Sequence, residues 1–167
     1  MENLKYRFVR ADKVAIPVEQ ILSLYHSLIG QEGCTWSVDY PDLGTVQRDY
    51  KAGNLYCLLS KENDLIGAVS VCEDPDIDDL ACWSPQCLPA GDVMRVAVAE
   101  AYQNHGLARE MLTNAMDILR ERGFKGIHFL VSKNNARAIA SYQKLNFVTV
   151  GEVAMYDKNW WCYERKL

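Results

Sequence analysis

Nowhere in the 167 residues does a run of about 18 apolar side chains occur, the length a helix needs to span a bilayer. The opening residues, MENLK, lack the apolar core of a secretory leader. The two absences predict a chain with no membrane span and a cytoplasmic location. Basic residues are outnumbered, 18 Lys and Arg against 22 Asp and Glu, for a formal net charge of −4. Binding to a phosphate backbone needs basic patches, so nucleic acid is not an expected partner. Six cysteines stand at 34, 57, 72, 82, 87 and 162 without a Cys-x-x-Cys pair. They predict small reduced hydrophobes rather than a disulfide framework. The three histidines are scattered, and no metal site is expected. No Gly-Lys-Ser/Thr follows a glycine-rich loop, and no Gly-x-Gly-x-x-Gly follows the first strand. A Walker-type loop and a dinucleotide fold are thereby disfavoured. No repeat or Gly/Ser/Pro-rich linker divides the chain, so residues 1–167 read as a single domain.

What is present is a clear alternation of strand and helix patterns. KYRFVR (5–10) alternates as a first strand. Val18, Ile21, Leu22, Tyr25, Leu28 and Ile29 recur at helical spacing, and Gly30 closes that helix. The polar stretch 39–54 predicts a short second helix ended by Gly53. LYCLLS and DLIGAVSVC are strand-like around a Lys61-Glu62-Asn63-Asp64 turn. Residues 73–92, with three prolines and five aspartates, read as an irregular acidic loop. VMRVAV resumes as a strand. Ala108, Met111, Leu112, Ala115 and Leu119 then form a helical stripe, with Gly123 just past its end. GIHFLVS reads as a strand covered on both faces. Ala138, Ile139, Tyr142 and Leu145 mark another helix behind an Asn cap, and two strands finish the chain. The last of these, WWCYERKL, is one through which a homodimer could form. The order β-α-α-β-β-loop-β-α-β-α-β-β predicts an α/β fold, with about seven strands in a partly parallel sheet and about four helices.

The most informative stretch is VAVAEAYQNHGLARE, residues 96–110. It joins an apolar strand to a helix through Gly106, with the small Ala108 one residue inside. A helix start exposes backbone N–H groups that have no partner within the helix, and its dipole adds about half a positive charge there. Glycine and alanine remove side-chain bulk, so an anion such as a pyrophosphate can reach those amides.

Val98, Gln103, Gly106 and Ala108 spell V-x4-Q-x-x-G-x-A, which resembles the acyl-CoA-binding motif of the GCN5-related N-acetyltransferase (GNAT) family. Downstream, Asn135, Ala138, Tyr142, Lys144 and Phe147 fall in register with a second family signature, N-x-x-A-x-x-x-Y-x-K-x-G-F. The departure is Asn146 where the family has glycine. That site should be left-handed at a helix end, where asparagine is the next-best residue. The resemblance implies a GNAT-like fold and transfer of an acetyl group from acetyl-CoA to a primary amine of a small molecule or peptide. It places the pyrophosphate on the amides of Gln103, Asn104, His105, Gly106, Leu107, Ala108 and Arg109. It sets the pantetheine arm along the backbone of Val96, Ala97 and Val98. Asn135, Ala138, Tyr142 and Lys144 belong to the cofactor-binding set, and no metal is implied.

Tyr142 is the implied general acid, protonating the departing thiolate. A phenol of pKa about 10 is a credible donor to the conjugate base of a thiol of pKa about 8.5. An ammonium acceptor near pKa 10.4 must lose a proton first. Glu73 is the leading base, with Asp74 beside it and Glu32, His26 and Glu152 behind. Tyr25, Trp36 and Trp83 are candidates to line the acceptor pocket, though a core role is open for each. The acidic 73–92 stretch points to a cationic amine, a reading that equal turnover of neutral and cationic amines would end. Two other functions remain open: a protein N-terminal or ribosomal-type acetyltransferase, and an acyl-CoA-binding sensor without turnover.

Overall fold

The computed structural model describes residues 6–167, so Lys5, the expected start of the first strand, lies outside the described residues. Seven strands form one sheet: β1 (Arg7–Arg10), β2 (Leu55–Leu59), β3 (Leu65–Cys72), β4 (Ala90–Val98), β5 (Gly126–Ser132), β6 (Val148–Met155) and β7 (Lys158–Lys166). Their order is β1-β2-β3-β4-β5-β7-β6. β4 and β5 run parallel, with Ala90, Gly91 and Asp92 opposite Gly126, Ile127 and His128. The other recorded pairings are antiparallel. Five helices accompany the sheet: α1 (Val18–Ser27), α2 (Leu43–Lys51), α3 (Pro75–Asp78), α4 (Leu107–Glu121) and α5 (Ala136–Gln143). The α/β architecture with a partly parallel seven-stranded sheet is the one the strand and helix periodicities predict, and the helix beyond the expected four is the one-turn α3 inside the stretch read as a loop. No helix among the described residues is long and apolar enough to cross a membrane.

The chain groups into two compact units. One comprises the chain through Ser70 together with Arg95–Met111, and the other comprises Val71–Met94 and Leu112–Leu167. In the first, β2 is buried along its whole length. Its two-residue period sends Leu55, Cys57 and Leu59 into a core with Ile21 and Leu24 of α1 and Val46 of α2. On the other side Tyr56 stacks on Phe8 at 5.3 Å. Helix α2 starts where the Asp42 carboxylate accepts the Thr45 backbone N–H at 2.8 Å.

In the second unit the same alternation divides β5. Phe129 meets Tyr142 of α5 edge-on at 5.0 Å, whereas the neighbouring His128 stacks on Trp83 at 4.1 Å. The acidic stretch is more ordered than its composition suggests. Asp74 caps the one-turn helix α3 by accepting the Asp76 N–H at 3.1 Å, and Pro75 opens it. A second turn follows at Pro85–Cys87. Strand β7 is internal, paired with β5 on one side and β6 on the other. Its backbone is therefore committed within the chain, and the reading of WWCYERKL as a dimer-forming strand is corrected. All six cysteines are free thiols, three of them buried.

At Gly126 an added Cβ would lie 2.1 Å from the Cys87 carbonyl oxygen and 2.9 Å from its carbon, backbone atoms with nowhere to retreat. Gly126→Ala is expected to cost about 3 kcal/mol in urea unfolding. Gly44→Ala, whose Cβ would meet only an Asp42 oxygen at 3.6 Å, should stay within about 1 kcal/mol of wild type. Equal effects at the two sites would disprove the packing argument.

Candidate functional site

After Val98 the chain leaves the sheet through a short turn at Glu100–Tyr102 and enters α4 at Leu107. Asn104 and Gly106 both take left-handed backbone angles, φ 65° and 78°. Gly106 suits that region without strain, and an added Cβ there would crowd the Arg109 guanidinium at 3.0 Å. The first intrahelical bond runs from the Glu110 N–H to the Gly106 carbonyl at 3.1 Å. The amides of Leu107 and Ala108, ahead of that bond, have no carbonyl of their own helix to reach. Gln103 braces the turn from below. Its side-chain amide donates to the Val98 carbonyl at 2.9 Å and to Gln31 at 3.1 Å. Residues 96–109 thus form one continuous strand-turn-helix segment of the first unit, with His105 exposed and its Nδ1 3.3 Å from the Tyr102 carbonyl.

The second signature lies on α5 in the other unit. Asn135 accepts the Ala138 N–H at 3.1 Å, so these two signature positions make the helix cap. At the other end the Phe147 N–H reaches back to the Tyr142 carbonyl and the Asn146 N–H to that of Gln143. Asn146 takes φ 61°, the left-handed conformation expected of it. Tyr142 is buried among Phe129, Phe147 and Tyr163, and burial pushes its phenol up to about 12. Lys144 is exposed.

The acceptor-pocket candidates fall elsewhere. Tyr25 is 1% exposed and fills the first unit's core, with Trp36 edge-on at 5.3 Å. It lies on the buried face of α1 with Ile21 and Leu24, inside the core. Trp83 is likewise buried, donating its indole N–H to the Ile77 carbonyl at 2.8 Å. Both are corrected to core residues. Among the base candidates, Glu73 and Glu32 are exposed. Asp74 is occupied as the α3 cap, His26 donates Nε2 to the Pro41 carbonyl at 2.7 Å, and Glu152 pairs with Lys133.

Two clusters escape sequence reasoning. In the first unit, Arg95 lies in the middle of β4 with φ 54° and pairs with Asp49 at 2.5 Å, both side chains under 10% exposed. Ser70 donates to the same carboxylate at 2.6 Å, and Arg95 donates to the Tyr40 hydroxyl at 2.8 Å. Burial works against the Arg95 charge, but Tyr40, Asp49 and Tyr25 facing it more than reverse that and raise its pKa. Arg95, a charge inside the apolar run VMRVAV, was a signal in the sequence, whereas Asp49 lies in a stretch read as polar and is set apart only by its place beside Thr45 and Val46 on the buried side of α2. In the second unit, Asp78, Asp92 and His128 converge. Burial pushes the Asp92 carboxyl up to about 7. Burial pulls the His128 pKa down, but the carboxylates of Asp92 and Asp78 outweigh it and leave it raised. Nothing in the one-dimensional spacing joins residues 78, 92 and 128.

The acetyltransferase (GNAT) family model matches residues 21–147, a span that runs through both units. A mycothiol acetyltransferase of Beutenbergia cavernae is 35% identical over 66 residues, 40% of this chain and 22% of the relative. The chain spans about a fifth of the length of the curated relatives it matches. Among solved structures, a GNAT-family acetyltransferase from Listeria monocytogenes superposes with a TM-score of 0.75 at 18% identity, covering 99% of this chain and 97% of that one. The Salmonella typhimurium protein yncA, solved with its cofactor acetyl-CoA, gives 0.72 at 17% identity, covering 99% and 95%. At these identities the likeness is one of fold.

Asp49→Asn would leave the Arg95 guanidinium buried opposite a neutral amide, at a cost of about 3 kcal/mol. Tyr40→Phe removes one half-exposed hydrogen bond and should cost about 1 kcal/mol. Urea midpoints separate the two, and a smaller loss for Asp49→Asn than for Tyr40→Phe would refute the pairing as the dominant contact.

Proposed function

The chain belongs to the acetyltransferase (GNAT) family, and on that footing we propose that it moves the acetyl group of acetyl-CoA to a primary amine by direct attack in a ternary complex. The observation that carries this is the left-handed Gly106 turn, which opens α4 on amides that no carbonyl of the same helix can serve. The pyrophosphate sits on the amides of residues 103–109, with Arg109 above Gly106, and the pantetheine arm follows the backbone of Val96, Ala97 and Val98. A single acetyltransferase domain over residues 1–167 and a cytoplasmic location complete the proposal.

The amine lone pair attacks the thioester carbonyl carbon, and a backbone N–H near Val98 meets the oxyanion. The C–S bond then breaks as the Tyr142 hydroxyl delivers its proton to sulfur, and the proton that the new amide nitrogen sheds restores the phenol, directly or through water. A phenol raised to about 12 stays protonated at working pH, which supports its role as donor. The proposal requires the leaving thiolate to be desolvated as well, because burial raises its proton affinity toward that of the phenol. Glu73, exposed after β3, is the proposed group that takes the proton from the incoming ammonium, directly or through water. A small-molecule acceptor is favoured over a peptide because the curated relatives are named mycothiol acetyltransferases, after a small thiol.

An amine panel read by free-thiol release tests the activity. Tyr142→Phe is expected to lower kcat at least tenfold with the acetyl-CoA Kd within a factor of about two. Because the donor must be protonated, the part of kcat that Tyr142 supplies falls only as pH rises through the phenol pKa. That contribution should stay level from pH 7 to about 10. Undiminished turnover by Tyr142→Phe rules out the proton-donor role, and no thiol release with any amine rules out the enzyme.

A further inference from the structure

In the second unit, Asp78 of α3, Asp92 of β4 and His128 of β5 present three donor atoms that all lie within 4.8 Å of one another. His128 Nε2 is 2.7 Å from Asp78 Oδ1 and 2.9 Å from Asp92 Oδ1. One imidazole nitrogen carries at most one hydrogen. Here that hydrogen goes to Asp78, leaving Asp92 Oδ1 without a hydrogen bond among the described residues although its side chain is 0% exposed. A buried carboxylate oxygen aimed at a second carboxylate and an imidazole, with no donor of its own, is costly as it stands.

We propose that Asp78, Asp92 and His128 bind a divalent first-row metal ion, of the Mn²⁺ or Zn²⁺ type, that ties the 74–92 segment to β4 and β5. The charges fit: deprotonated as metal ligands must be, two carboxylates and a neutral imidazole carry −2, which a divalent ion cancels inside a buried site. The spacing fits as well. Bonds of about 2.1 Å set adjacent donors about 3 Å apart around a six-coordinate ion and about 3.4 Å apart around a four-coordinate one. The two aspartate oxygens, now 2.7 and 2.9 Å from Nε2, therefore need to move by less than about 1 Å. The mixed oxygen and imidazole set suits this class of cation better than a soft one. The ligands are also oriented from behind. The Asp74 N–H donates to Asp92 Oδ2 at 2.8 Å, and the Trp83 indole stacks on the imidazole. Entry is from the Asp78 side, whose side chain is 31% exposed. His128 Nδ1 has no partner among the described residues, and the missing bond weakens affinity roughly 10–100-fold against a fully supported site. The site uses none of the residues assigned to acetyl transfer.

The test uses the untagged full chain, stripped with chelator and titrated with ZnCl₂ and, separately, MnCl₂ by calorimetry and thermal melting. One equivalent of either ion should bind saturably and raise the Tm. Asp78→Asn, at the half-exposed ligand, should fold and bind at least tenfold more weakly, and Asp92→Asn more weakly still. Co²⁺ in place of either ion should show ligand-field absorption that is lost in Asp78→Asn. No saturable binding by wild type of either ion, or unchanged binding in Asp78→Asn, overturns the proposal. Because binding and melting are read without acetyl-CoA or amine, this outcome is independent of the transferase reading.

Discussion

Arg95 is a non-glycine residue in the left-handed region, halfway along an otherwise extended β4, and the Asp49 carboxylate is what it meets there. Such a conformation costs on the order of 1–3 kcal/mol and persists only where surrounding contacts impose it. Asp49 can supply them because α2 is capped by Asp42 and packed through Val46, which fixes the direction of its last turn. Ser70 on β3 and Tyr40 ahead of α2 complete the shell around the two charges. The segment that follows, Val96 to Val98 and then the Gly106 turn, is entered from this kink. A buried charge pair of this kind adds little net stability, but its geometry is exacting, and losing one partner leaves the other stranded.

A different constraint organises the second unit. β5 is bracketed by β4 and β7, so every side chain along it must go to one face or the other. Phe129 joins Tyr142, Phe147 and Tyr163 in an aromatic group, which keeps the Tyr142 hydroxyl in low-dielectric surroundings and its proton in place. His128, one residue earlier, is sent to the face covered by α3 and Trp83, where it meets two aspartates. One strand therefore supports a protonated phenol on one side and a carboxylate-imidazole cluster on the other.

Local signals were legible where the physics is local. The Gly106 turn, the α4 stripe ending at Gly123, the Asn135 cap and the left-handed Asn146 all follow from residue type and spacing of a few positions. For Tyr25 and Trp83 the sequence left core and pocket both open, because residue type alone does not say which way a ring faces, and burial places both in the core. The 73–92 stretch was read as loop because its prolines and aspartates are both turn formers and helix starters, and Asp74-Pro75 happens to be a helix start.

By itself the sequence determined the alternation of strand and helix and the bare-amide turn after β4, since periodicity and glycine act over a few residues. It also carried the two motifs that mark the family. Only the tertiary structure decided that Asp49 meets Arg95 across 46 positions and that Asp78 and Asp92 meet His128. It alone decided that the last strand lies inside the sheet. Those outcomes depend on which strands pair and which faces are covered, quantities that no spacing along the chain encodes.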